Sequence, residues 1–495
     1  MSDNSSTNFP LMGTKLQCQF PDLDENKVIQ DDEQSTNPSP SPKNHLSRID
    51  ILKQGIRDSL NQKQKKHLNI EIEHFEGFRP YEIYQRRMEK NNELEKSGRS
   101  GISSISKQKL IEKLTHDYQQ DSSIFRVVLY TYKWYFDEKE MFTLLLERFK
   151  TPIPLNLSPI EKKSFLDSVI SKIQIKVLIF IKDWFKCYSY KFYADSKLEE
   201  IFFELLYLMF THPDTGKWIH LPISQLLSDL ENLNQRKEDN IRSVLKVASL
   251  PEIFVPLPII LSYSHLLAKQ LCIVDIENFK RIKVTEFYRK CWTKESKYIE
   301  APNLTLIAEM STKLSRLTSY LILMNKKNTV RVILYQYLID LCDQLVRLRN
   351  FNSAFAIYLG LAGHAVQRLK PLIEPNLEKE PREVFNNLKH LFSSSNNMEV
   401  LRAKQNEVMT PAVPYLGVYL SELLFIEEMK DYVDNEKKML NFAKFALLSE
   451  KINKVTAFKE SYGFHKVDNI LNFIKGIPFI NEDQIYQLSY QILPA

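Results

Sequence analysis

Apolar residues recur at three- and four-residue steps through most of the chain beyond residue 108. The clearest stripe places six of them on one helix face: Leu198, Ile201, Phe202, Leu205, Leu206 and Met209. Residues 173–188 form a second predicted helix that is apolar nearly all round, and residues 330–350 form a third with a leucine stripe. No alternating run is long enough to build a sheet, and no repeat recurs at a fixed spacing. The pattern predicts an all-α protein.

Changes of composition divide the chain into four parts. Pro251, Pro256 and Pro258 disfavour helix and separate a helical region at 108–245 from a second one at 250–490. Residues 1–45 are polar and proline-containing, so we expect a disordered tail that cannot repay the entropy of ordering. Residues 46–107 are charged with one small aromatic patch, and they fit either a linker or a docking helix.

The composition argues against a nucleic-acid partner, a metal site and a membrane-spanning segment. The net charge is only +6 over 495 residues and the two signs are interspersed, so a nucleic-acid partner is not expected. Five widely spaced cysteines, without metal-ligand spacing, predict reduced buried thiols and no metal site. The apolar run at 253–263 is far shorter than the ~20 residues that span a bilayer. We expect a soluble cytoplasmic protein without a cofactor and without direct membrane insertion.

The sequence offers little for covalent or metal catalysis. Residues 214–218 resemble a phosphate-binding loop, but the first glycine is missing and Trp218 occupies the position of the magnesium-binding hydroxyl, so a turn is expected. His364 stands beside small residues, and we expect it to pack rather than act as a base. No nucleophile elbow, kinase signature or zinc motif is present in the sequence.

Two blocks in the C-terminal half carry a more specific pattern. The first has a Leu-x-x-Leu-x-Asn-Phe-Asn helix end at 345–352, before a helix that closes in Arg-Leu-Lys at 368–370. The second runs from Val413 to Glu428 and is followed by Asn-Phe-Ala-Lys at 441–444. Both blocks, in this order, resemble the catalytic domain of the Ras guanine-nucleotide exchange factors.

A looser match lies upstream. Residues 125–133, 144–149 and 175–184 are similar to the N-terminal Ras exchanger motif that accompanies such catalytic domains. The resemblance covers about 110–480 and implies two helical domains, a Ras exchanger motif domain at 108–245 and a catalytic domain at 250–490. It further implies that the catalytic domain is an orthogonal helical bundle with a protruding helical hairpin, which the first domain supports from behind.

The resemblance implies a guanine-nucleotide exchange factor that works without covalent chemistry on a Ras-type small GTPase of the Ras, Rap or Ral group. Leu424 and Glu428 are four residues apart, so on a helix they project from one face. By resemblance, Leu424 occupies the magnesium position and Glu428 the α-phosphate position of the GTPase. Such a GTPase would recruit the protein to the inner face of the plasma membrane.

Four further residues are carried over as GTPase contacts: Asn352, Tyr415, Leu420 and Glu427. For Asn352 a helix C-terminal cap is an equal alternative. The second arm of the hairpin is expected to begin near Glu436, with Asp434 or Asn435 as its cap.

The sequence also departs from the family pattern. Ser311-Thr312 precede Lys-Leu-Ser where the family has Phe-Asn, Leu317 replaces a common tryptophan, and Met429-Lys430-Asp431 replaces the usual turn after the two glutamates. These departures leave open a catalytically weak scaffold that binds a GTPase without releasing its nucleotide. A helical-repeat adaptor is a second alternative, disfavoured because no repeat period is present.

Overall fold

A computed structural model describes residues 95–98, 101–115, 122–193, 196–230, 264–407, 410–436 and 438–494. The predicted disordered tail, most of the charged segment before residue 108 and the three boundary prolines lie outside these residues. The described residues belong to one compact unit that spans Arg48–Ala495, in which the two helical regions pack against each other.

The described part of the N-terminal region includes the helices α1 Lys107–Leu114, α2 Ser122–Thr131, α3 Glu138–Phe149, α4 Pro159–Phe165, α5 Ser171–Tyr188 and α6 Ser196–Thr211. Residues 220–230 are also helical. The predicted helix at 173–188 is confirmed as α5, and its Trp184 is fully buried. The Trp184 ring meets Phe142 edge-on at 5.0 Å and stacks on Phe202 at 6.1 Å. Aromatic packing of this kind holds α3, α5 and α6 together.

Among the described residues from 264 onward, the helices are α7 Ser264–Arg281, α8 Lys297–Glu300, α9 Pro302–Leu323, α10 Asn328–Arg347, α11 Phe351–Ala362, α12 His364–Gln367, α13 Lys370–Ile373, α14 Lys379–Leu391, α15 Glu399–Asn406, α16 Leu416–Glu427, α17 Phe442–Ala457, α18 Asp468–Lys475 and α19 Glu482–Ile492. The predicted helix at 330–350 is confirmed as α10. Helix α11 packs between α9 and α10. A Cβ at Gly360 would lie 2.5 Å from the carbonyl oxygen of Ser315, so glycine permits the close approach of α9 to α11.

A small sheet interrupts the helical architecture. Its strands are β1 Glu95–Gly98, β2 Gly101–Ile105, β3 Tyr432–Asp434 and β4 Met439–Asn441, in the order β1-β2-β4-β3 with antiparallel neighbours. The prediction that the chain builds no sheet is therefore wrong, because strands of three to five residues are too short for an alternating pattern. The all-α class is otherwise confirmed. Through the pairing of Ile105 with Leu440, the sheet connects the N-terminal region to the segment after α16.

Two predicted helix ends are corrected. The second arm of the hairpin begins at Phe442 instead of near Glu436, because strands β3 and β4 occupy the intervening residues; the Asn441 side chain caps it by accepting from the Lys444 amide at 3.3 Å. Asn352 lies in the first turn of α11, whose cap is Asn350. The C-terminal-cap interpretation of Asn352 is therefore wrong.

The phosphate-loop lookalike, the described cysteines and the lengths of the apolar helices are all visible in the structure. In the phosphate-loop lookalike at 214–218, the expected turn is found only at its start, where the Thr215 amide donates to the His212 carbonyl at 3.2 Å. Lys217–Ile219 form a 3-10 helix, and the Trp218 indole donates to Gln174 Oε1 at 3.0 Å. Of the described cysteines, Cys272, Cys291 and Cys342 are buried, whereas Cys187 is exposed. Within the described ranges, the search for a helix that combines bilayer-spanning length with sufficient apolar character found none.

A buried polar cluster fixes α7 against the junction of α10 and α11. The Asp275 carboxylate accepts from Asn350 Nδ2 at 2.8 Å and from Ser353 Oγ at 2.6 Å. Burial raises the pKa of Asp275 to about 6, although the hydrogen bonds from Ser353 and Asn350 oppose that shift. The folded chain therefore holds a proton on Asp275 over a pH range in which the unfolded chain has released it.

This cluster predicts a pH-dependent stability. The contribution of protonated Asp275 is complete below about pH 4 and is lost as the pH rises through about 6. Asp275→Asn cannot ionise, so its free energy of unfolding relative to the wild type should increase over that window, by roughly 1.4 kcal/mol per unit of pKa shift. Urea unfolding at a series of pH values measures this difference. The exposed Asp229→Asn serves as control, and equal pH profiles for the two variants would contradict the account.

Candidate functional site

Helix α16 carries a stripe of side chains that leads from the core to the surface. Leu416, Leu420, Leu424 and Glu428 recur every four residues, so they follow one side of the helix. Leu416 is buried, Leu420 and Leu424 are half-buried, and the Glu428 side chain at the helix end is 72% exposed. The predicted pair of Leu424 and Glu428 therefore shares one accessible face.

A cavity of about 440 Å³ lies beside the first half of this stripe, between α9, α11, α16 and α19. Asn352, Tyr415 and Leu420, three of the predicted GTPase contacts, all line it. The Tyr415 ring packs on Phe355 with centroids 4.3 Å apart, and Asn352 Nδ2 donates to Ser311 Oγ at 3.1 Å. The cavity thus combines an apolar wall with polar groups already fixed in position.

His364 also lines this cavity, and the residue is exposed. The prediction that it packs in the interior is therefore wrong. It begins the short helix α12 at the cavity rim.

Glu427, the fourth predicted contact, lies on the other side of the helix. Its side chain is only 2% exposed. One carboxylate oxygen accepts from the Trp134 indole at 2.7 Å, and the other lies 3.2 Å from Lys444 Nζ. In this conformation Glu427 is not available to a partner, which corrects its assignment as a GTPase contact. The carboxylate instead holds the hairpin to the N-terminal region.

Lys444, at the start of α17, is 1% exposed and supplies the charge that Glu427 requires. Its ammonium also donates to the carbonyl oxygens of Glu427 at 3.1 Å and Met429 at 2.7 Å, and to Asp431 Oδ1 at 2.8 Å. The end of a helix leaves carbonyl groups without intrahelical partners and disfavours negative charge. One buried ammonium therefore satisfies both the backbone and the acidic side chains at the end of α16.

Arg289 supplies a second cation from the kinked 3-10 segment Val284–Thr293 before α8. It donates to Asp431 Oδ2 and to the backbone carbonyl of Trp134, and its guanidinium lies 3.8 Å from Glu427 Oε2. Burial opposes ionisation of Asp431, but the hydrogen bonds from Arg289 and Lys444 outweigh it and hold the pKa of Asp431 below its usual value. Trp134, Arg289, Glu427, Asp431 and Lys444 together form what we call the hairpin-base network.

Two family models match this chain in the same order as these structural regions. Residues 266–446 match the RasGEF domain, and residues 101–208 match the RasGEF N-terminal motif. The chain belongs to the Ras guanine nucleotide exchange factor family. Trp134 lies in the RasGEF N-terminal motif and Glu427 in the RasGEF domain, so their hydrogen bond joins the two.

Relatives from two organisms support the assignment. The chain is 27% identical over 406 residues to Ras guanine nucleotide exchange factor I of Dictyostelium discoideum, an alignment that covers 79% of this chain and 47% of that protein. It is 28% identical over 410 residues to exchange factor J of the same organism, covering 79% and 48%. It is 23% identical over 426 residues to protein son of sevenless of Drosophila melanogaster, covering 78% and 26%. The chain thus spans about half the length of these relatives, or less.

The hairpin-base network predicts a large effect of removing its central cation. Lys444→Met in the RasGEF domain leaves the buried carboxylate of Glu427 without its ammonium, so the free energy of unfolding should fall by about 3–5 kcal/mol. Urea unfolding measures this loss. Lys454→Met, on the exposed side of the same helix and paired with Glu450, should change it by no more than about 0.5 kcal/mol.

A second variant tests the cause of that loss. Adding Glu427→Gln to Lys444→Met removes the unpaired buried charge, so the double variant should regain part of the lost stability. Equal losses of unfolding free energy in Lys444→Met and Lys454→Met would contradict the role of the network. A further loss when Glu427→Gln is added to Lys444→Met would contradict it as well.

Proposed function

We propose that this chain is a guanine-nucleotide exchange factor that binds a Ras-type small GTPase of the Ras, Rap or Ral group and promotes GDP release and GTP loading. The observation that carries the proposal is the contrast between two adjacent glutamates within a RasGEF domain. Glu427 is enclosed by the hairpin-base network, whereas Glu428 projects to solvent beside Leu424. The face that carries Leu424 and Glu428 therefore lies at the surface of the free chain.

The proposed action requires no nucleophile. A small GTPase holds its nucleotide through phosphate contacts and magnesium. Leu424 brings an apolar group to the magnesium position, where the ion requires oxygen ligands. Glu428 brings a carboxylate to the α-phosphate position, where like charges repel. Both side chains act by occupancy and charge.

Thermodynamic linkage makes the effect reciprocal. If the exchange factor lowers the affinity of the GTPase for its nucleotide, the nucleotide lowers the affinity of the GTPase for the exchange factor by the same factor. GTP binding then displaces the chain and completes the cycle.

The cavity beside α16 supplies the proposed docking surface. Tyr415 and Leu420 offer apolar area, and Asn352 offers an amide whose orientation is fixed by Ser311. An apolar side chain of the GTPase can enter this cavity while its nucleotide site meets Leu424 and Glu428. We further propose that the protein is cytoplasmic and that its GTPase partner recruits it to the inner face of the plasma membrane.

The exchange activity is tested by fluorescent-nucleotide release from a panel of Ras, Rap and Ral proteins. The wild-type chain should accelerate release from at least one of them. Leu424→Ala and Glu428→Ala should each reduce that acceleration by about 5- to 150-fold, the usual range of a coupling between two sites. Leu155→Ala and Glu450→Ala, at exposed positions outside α16, serve as matched controls and should leave release unchanged.

The outcomes separate the function from its mechanism. A chain that binds a GTPase but accelerates no release would be the scaffold that the altered turn at Met429–Asp431 leaves open. Acceleration that survives Leu424→Ala together with Glu428→Ala would retain the function and reject the proposed wedge.

A further prediction concerns the contact between the two regions. Trp134→Phe keeps a ring against Tyr288, 5.0 Å away, but removes the indole donor to Glu427. The variant should lower the free energy of unfolding by about 1–3 kcal/mol, because the buried carboxylate of Glu427 loses a hydrogen bond. It should also slow nucleotide release, because that hydrogen bond holds the hairpin to the N-terminal region. Trp218→Phe loses the comparable indole bond to Gln174 and is the matched control. Its release rate should remain that of the wild type, and equal rates for both variants would contradict the coupling.

A further inference from the structure

Two consecutive residues before the hairpin adopt an unusual backbone conformation. Arg289 has φ 50° and ψ 38°, and Lys290 has φ 56° and ψ 32°. The left-handed region is unfavourable for residues with a Cβ atom, and neither residue is glycine or asparagine. Such conformations persist where surrounding contacts require them, and they cluster at functional sites. The contacts of these two side chains therefore indicate what requires this conformation.

Both side chains reach the end of α16. Arg289 belongs to the hairpin-base network through Asp431. Lys290 extends to the neighbouring acidic residue, with its Nζ 2.6 Å from Glu428 Oε1. The two consecutive left-handed residues thus supply one cation to the buried network and one to the exposed carboxylate.

The second contact bears directly on the proposed wedge. The hydrogen bond from Lys290 holds the pKa of Glu428 below its usual value, so the carboxylate is ionised and paired at neutral pH. A carboxylate that must repel a phosphate acts less strongly when an ammonium lies beside it, because the positive charge cancels its field and itself attracts phosphate. The ion pair therefore opposes the role given to Glu428.

We propose that Lys290 is a positioning residue that holds Glu428 in an ion pair in the free chain and restrains nucleotide release until GTPase binding separates the pair. This inference rests on the proposed exchange function. Lys290 and Glu428 are 36% and 72% exposed, so salt screens their attraction and the restraint is small. It tunes the rate of release and does not switch it on or off.

A double-mutant cycle in the full chain tests the restraint: wild type, Lys290→Gln, Glu428→Gln and the combination, each assayed for fluorescent-nucleotide release from the GTPase that the panel identifies. Lys290→Gln should accelerate release about two- to fivefold at low salt, and the ratio to wild type should approach one at about 0.5 M salt. In the Glu428→Gln background the same substitution should have no effect. Lys290→Arg, which keeps the charge, should match the wild type.

Lys294→Gln, at an exposed lysine directly after the 3-10 segment that contains Lys290, is the matched control and should leave release unchanged. Slower or unchanged release in Lys290→Gln, or an equal change in the Glu428→Gln background, would overturn the inference while the exchange function stands. A wild-type chain that releases nucleotide from no GTPase of the panel would reject the exchange function, and the inference with it.

Discussion

A single buried ammonium group determines where the end of α16 lies. Lys444 is almost completely enclosed, and its donors are distributed between the carboxylates of Glu427 and Asp431 and two backbone carbonyls. A buried charge is tolerated only when such partners surround it, and each partner constrains the position of the others. Since Glu427 also accepts from Trp134, the same group ties the RasGEF N-terminal motif to the RasGEF domain. This constraint positions the end of α16 and the residues that lead into strand β3.

The constraint explains how two adjacent glutamates come to lie in different environments. Successive residues of an α-helix point about 100° apart, so fixing one side chain inward also fixes the direction of the next. With Glu427 held by Lys444 and Trp134, Glu428 must project outward, on the side where Leu424 lies. A neighbouring cation then compensates the negative charge of each carboxylate. Arg289 and Lys444 pair with the buried Glu427 and the half-buried Asp431, and Lys290 pairs with the exposed Glu428.

The sequence predicts the helices well because each buries a periodic apolar face, as α5 and α10 do. The shared face of Leu424 and Glu428 follows from their spacing alone. The sheet is missed because β3 and β4 have three residues each, and β4 pairs with β2, which lies more than 300 positions earlier in the chain. The burial of Glu427 is missed for a similar reason. Its partner Trp134 is 293 positions away, and no local pattern distinguishes Glu427 from Glu428.

Peptide-resolved hydrogen exchange tests most directly whether the hairpin-base network organises the hairpin. The full chain is measured alone and bound to a nucleotide-free GTPase. The decisive segment runs from Phe425 to Asn441, which contains the end of α16 and strands β3 and β4. The amides bonded within this segment should already exchange slowly in the free chain, because the hairpin-base network and the sheet hold it. Exchange at the rate of an unstructured peptide in the free chain, with protection only in the complex, would contradict this prediction. The GTPase, and not the hairpin-base network, would then organise the hairpin.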